Sequence, residues 1–85
     1  MEKNKNLKKK IIYRSKHRGS KEMDLLLGDF VLKYIDTFND KELIDLNSLL
    51  NTEDEVIYNW YFKKKSKLDF PVNRVTEKFK NFKLN

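Results

Sequence analysis

Residues 13 to 24 read Tyr-Arg-Ser-Lys-His-Arg-Gly-Ser-Lys-Glu-Met-Asp, and charge of both signs crowds around Gly19. A planar arginine fork such as Arg18 can grip a carboxylate at two points. The single imidazole, His17, can change charge near neutral pH. The acids Glu22 and Asp24 can pair with cations or take part in proton transfer. Enzymatic catalysis would have to rest on Glu22, Asp24 and His17 alone. There is no nucleophile elbow and no glycine-rich phosphate loop. With no cysteine and one histidine, thiolate chemistry and zinc sites of several imidazoles are excluded. A binding role is favoured, and its plainest structural counterpart is a salt-bridged helix junction. Glu22 would sit in the first turn of a helix, favoured by the dipole, and pair with Arg18 or Lys21.

The chain of 85 residues has room for one domain, which buries roughly 60–65% of its surface on folding. No apolar run reaches the length needed to span a bilayer. The basic start, Met1 to Lys10, is followed by no signal-peptide apolar core. The expectation is a soluble protein without membrane contact, monomeric on its own. Its place would be the cytosol, unless the chain is an already processed form. The net charge of +6 is unevenly spread. Residues 1–21 hold nine Lys/Arg and one acid, residues 22–62 two Lys and ten acids, and residues 63–85 eight Lys/Arg and two acids. Basic ends raise the alternative of a small nucleic-acid-binding domain. The acidic middle would repel phosphate, and only three of the 19 basic residues are Arg, the main reader of bases. No nucleic-acid partner is therefore expected. Sixteen Lys and nine Asn also match an AT-rich coding sequence, which weighs equally with function as the source of the lysines.

Apolar spacing is helical almost throughout. It predicts an all-α fold, a compact bundle of about five helices with frayed ends, over residues 5–17, 20–38, 41–51, 53–64 and 71–82. Gly19 is the break between the first two. The second carries a stripe of Met23, Leu27, Phe30, Val31, Tyr34 and Phe38, widened by Leu25, Leu26, Leu32 and Ile35. Gly28 within it is read as a close-packing position. The third helix puts Leu43, Leu46 and Leu50 on one face, with Ile44 and Leu49 beside them. Thr52-Glu53-Asp54-Glu55 is a capping box for the fourth. That helix buries Val56, Ile57, Trp60 and Tyr61, while Tyr58 lies off the stripe as an exposed aromatic. Pro71 suits the first turn of the fifth.

Arg18-Gly19-x-x-Glu22-x-Asp24, followed by Leu25-Leu26-Leu27 and Phe30, resembles the signature of the succinate dehydrogenase FAD assembly factors, the bacterial flavinylation factors and their mitochondrial relatives. Tyr13 and the basic run through Arg14 are similar too. A second block, Leu49-Leu50, Glu53-Asp54 and Ile57-Tyr58-Asn59-Trp60, is similar to the family's Leu-Leu, acidic pair and Asn-Trp segment. The likeness covers roughly residues 8–83. Ser20 stands where the family usually has Met, and His17 where Arg or Lys is common.

The resemblance implies a non-enzymatic assembly factor of five helices. It would bind the flavoprotein subunit of succinate dehydrogenase, in some members also that of fumarate reductase, and promote covalent FAD attachment to it. FAD would belong to the partner, and this chain would hold no cofactor or metal stably. The partner-binding residues implied are Arg14, His17, Arg18, Gly19, Glu22, Asp24, Asp54 and Tyr58. In that scheme Arg18 presents its fork to carboxylates of the partner, and Gly19 lets the partner's backbone come close. Glu22 orients Arg18, and Asp54 with Glu53 forms a second, acidic contact. The scheme requires the Arg18–Gly19 corner to lie within a partner's reach.

Overall fold

Three of the helix starts are fixed by a side chain. The computed structural model describes residues 5–63 and 73–83, and among them five α-helices follow in order. They are α1 (Lys5–Lys16), α2 (Lys21–Tyr34), α3 (Asp40–Leu50), α4 (Asp54–Phe62) and α5 (Arg74–Asn81), with no strand among the described residues. Ser20 caps α2 by accepting the Met23 amide at 3.2 Å. Asn39 and Glu42 form a reciprocal capping box at α3, and Asn73 and Thr76 one at α5.

The capping box expected at Thr52 does not form. The cap of α4 is Glu53, without a side-chain bond, and the Thr52 hydroxyl donates back to the Ser48 carbonyl at 3.3 Å. A threonine that bonds backward along the preceding helix is lost to the next one. The second helix also ends earlier than expected. A 3₁₀ turn over Ile35–Thr37 replaces its last turn, and the Thr37 hydroxyl takes the Tyr34 carbonyl at 2.7 Å. Pro71 lies outside the described residues.

Phe30 sits at the centre of the core. Its ring is 5.1 Å from Phe79, 5.4 Å from Phe82 and 5.2 Å from Tyr34, the first two edge-on. Ile11 of α1, Leu43 and Leu46 of α3, Ile57 of α4 and Val75 of α5 close around it, all buried. Leu25, Leu32 and Ile44, expected to widen the buried stripes, are instead more than half exposed. The core is thin enough that one flank of α2 and of α3 stays in water. Val56 and Trp60 are half-buried, with Trp60 packed on the edge of the core and stacked on Phe79 at 6.1 Å. Among the described residues no helix is long and apolar enough to cross a membrane.

Candidate functional site: the corner between α1 and α2

Residues 17–20 turn the chain from α1 into α2, and Gly19 is exposed. Arg18 is not. Only 9% of its side chain is accessible. Its Nε and Nη2 both donate to Asp54 Oδ1 at 2.7 Å. Nη1 donates to the carbonyls of Leu50 (2.7 Å) and Arg14 (3.3 Å), and Nη2 also to that of Thr52 (3.0 Å). The expectation of an outward fork is thereby corrected. Leu50 is the last residue of α3, where carbonyls lack partners within the helix and a cation is welcome. Asp54 opens α4, where an anion is welcome. The guanidinium therefore fills a slot between one helix end and the next helix start.

Asp54 is correspondingly not a free acidic contact. Its side chain is 27% exposed, and its second oxygen, Oδ2, accepts the Gly19 amide at 2.6 Å. Asp24 accepts the Arg18 amide at 2.6 Å. Two carboxylates thus hold two successive amides of the corner. A Cβ on Gly19 would stand 3.0 Å from Asp54 Oδ2, a tighter approach than side chains ordinarily make. The absence of a side chain at Gly19 makes room for Asp54, where the sequence suggested room for a partner.

Arg14 is half-buried and spends Nη1 on Asn47 Oδ1 (3.0 Å) and Asn51 Oδ1 (2.9 Å). His17 is exposed and stacks on Tyr13 at 3.9 Å. Its Nδ1 lies 2.8 Å from the Tyr13 carbonyl oxygen. A carbonyl oxygen only accepts, so Nδ1 carries the proton. Tyr13 is itself 63% exposed. Glu22 is exposed on the first turn of α2, and Arg18 pairs with Asp54 rather than with it. Tyr58, expected in the open, is half-buried against the core with its ring 4.7 Å from Phe62. Asn47 and Asn51, and the carbonyls that receive Arg18, have no sequence signal. A backbone acceptor can be any residue type. Ser15, fully buried with its hydroxyl on the Ile12 carbonyl at 2.8 Å, was also hidden by its polar identity.

The family model described as flavinator of succinate dehydrogenase matches residues 9–83. The chain belongs to this family. It is similar to succinate dehydrogenase assembly factor 2, mitochondrial, of Dictyostelium discoideum, with 47% identity over 58 residues, 68% of this chain and 41% of that protein. The protein of the same name from Saccharomyces cerevisiae is 40% identical over 75 residues, 88% of this chain and 43% of its own length. That from Debaryomyces hansenii is 35% identical over 75 residues, 88% of this chain and 49% of its own. The chain thus spans less than half the length of these relatives. No solved structure matches it. The family member's exposed face at this corner includes Tyr13, His17, Gly19 and Glu22, while behind it Arg18, Asp24 and Asp54 bind each other or the backbone and Arg14 binds Asn47 and Asn51.

Proposed function

We propose that the chain is an assembly factor that docks on the flavoprotein subunit of succinate dehydrogenase and promotes covalent attachment of FAD to that subunit. The strongest support is the family match across residues 9–83, which takes in the whole α1–α2 corner. FAD stays with the partner in this reading. Arg18, Asp24 and Asp54 are already paired with each other or with backbone, so the corner suits gripping protein more than cradling a dinucleotide. The bond-forming chemistry belongs to the flavin and the residue it joins. The helper contributes orientation, holding the subunit so that the reacting atoms stay aligned. The related fumarate reductase subunit is a second substrate of the same kind. The work is placed where the subunit is assembled, the mitochondrial matrix or the bacterial cytoplasm. The names of the relatives above carry the first of these.

Co-expression with a succinate dehydrogenase flavoprotein subunit tests the proposal. In-gel flavin fluorescence of the subunit should rise with the chain present. It should fall back toward the level without the chain for Glu22→Ala, whose side chain is exposed and supports no other residue of the corner. No rise with the wild-type chain would end this reading.

A further inference from the structure

Gly19 presents bare main chain on the exposed corner, and a main-chain surface is recognised only if its peptide planes are held still. Asp54 is placed to do that. One of its oxygens is fixed by the Nε and Nη2 of Arg18, and the other receives the Gly19 amide at 2.6 Å. Arg18 is in turn anchored on the carbonyls of Leu50 and Thr52. The orientation of the Gly19 peptide is thereby set by the junction of α3 and α4, more than thirty residues away in sequence.

We propose that Asp54 is a positioning residue for docking: it holds the Gly19 peptide in the orientation the flavoprotein subunit reads, without touching that subunit itself. The inference rests on the docking reading above. Stabilisation of the α4 dipole alone does not account for the geometry. Glu53 and Glu55 flank the same helix start, stay exposed and serve that purpose. Asp54 alone of the three reaches back to the corner, into the space a Cβ of residue 19 would need. A glycine at 19 and an aspartate at 54 are therefore one requirement. Asparagine cannot replace the aspartate. With one oxygen only, its amide nitrogen must face either the Gly19 N–H or Arg18, donor against donor.

Two measurements at a temperature where circular dichroism shows every variant folded decide the matter. In the chain alone, the Gly19 amide should exchange with solvent about tenfold faster in Asp54→Asn, as expected for loss of a charge-assisted bond. The amides of Leu27 and Phe30 should stay as in wild type. Capture of the flavoprotein subunit by immobilised chain should weaken about tenfold or more for Asp54→Asn, and in the same direction for Gly19→Ala, whose methyl crowds the carboxylate. The double variant should lose no more than the worse single one, since both break the same contact. Unchanged Gly19 exchange would overturn the inference. So would unchanged capture despite faster exchange. Losses that multiply in the double variant would overturn it too, by making Asp54 a partner contact in its own right. Failure of the wild-type chain to capture the subunit would instead sink the docking reading. The two failures are distinguishable, because Gly19 exchange reports on the corner without any partner.

Discussion

Arg18 and Asp54 stand 36 residues apart in sequence and meet at 2.7 Å, between the end of α3 and the start of α4. The pair ties the α1–α2 corner to the α3–α4 corner. Truncating Arg18 to Ala strands a largely covered carboxylate together with the Leu50 and Thr52 carbonyls. The cost should be about 2–4 kcal/mol, below the full penalty of a buried pair because Asp54 keeps some water. In a domain this small that lowers Tm by about 10–20 °C. Arg18→Lys keeps the charge but not the fork and should recover only part of the loss. Thermal melts followed at 222 nm check this. A midpoint equal to wild type for Arg18→Ala would place the guanidinium in solvent.

A methyl group on Gly28 would lie 3.6 Å from Lys16 Cγ and 3.8 Å from the Ser15 carbonyl oxygen, ordinary contact distances. The crossing of α1 and α2 is close there, as the sequence reading expected, yet it has room for one carbon. Gly28→Ala should therefore raise stability by about 0.5–1 kcal/mol, the difference in helix propensity and unfolded-chain freedom. Urea titration gives the answer through its midpoint. A lower midpoint would show the helices nearer together than these distances allow.

The helical plan was legible because periodicity records burial. Leu26, Leu27, Phe30 and Val31 fall inside, as their spacing required. Leu25, Leu32 and Ile44 broke the rule because apolar identity does not say how wide a face the rest of the chain can cover. At the corner, the sequence marked Arg18, Gly19 and Asp54 individually. It could not pair Arg18 with Asp54 across two intervening helices, and the nearer acid, Glu22, was the natural local choice. The same blindness held at Thr52, where a valid capping pattern competed with a bond to the Ser48 carbonyl and lost.

Tyr61 joins α4 to the end of α5 through its hydroxyl, which donates to the Phe82 carbonyl. Burial raises its pKa above the ordinary value of 10.0. The neutral phenol is therefore favoured in the folded chain. Its contribution is fully present below the unfolded value and is lost as pH climbs through the folded one. Stability should fall above about pH 10 with a component that disappears in Tyr61→Phe. At neutral pH that variant should be weaker by about 1 kcal/mol for the lost hydrogen bond. Melts of both proteins across an alkaline series measure the difference. An identical alkaline limb in the two would remove Tyr61 from the account.

Trp60 separates a core residue from an edge residue. It is half-buried, and its ring stacks nearly parallel on Phe79 at 6.1 Å, with an interplanar angle of 14°. Phe79 is fully buried and meets Phe30 edge-on, so Trp60 covers the outer side of the central aromatic cluster. Removing its ring would open Phe79 to water rather than leave a closed cavity, and solvent can fill the space. The loss for Trp60→Ala should be about 2–3 kcal/mol, short of the 3–5 kcal/mol of a sealed aromatic. Trp60→Phe should keep most of the stacking and lose less than half as much. Because Trp60 is the only tryptophan, the comparison must be followed by circular dichroism. A loss of about 5 kcal/mol would place Trp60 in the sealed interior, and no loss would detach it from Phe79.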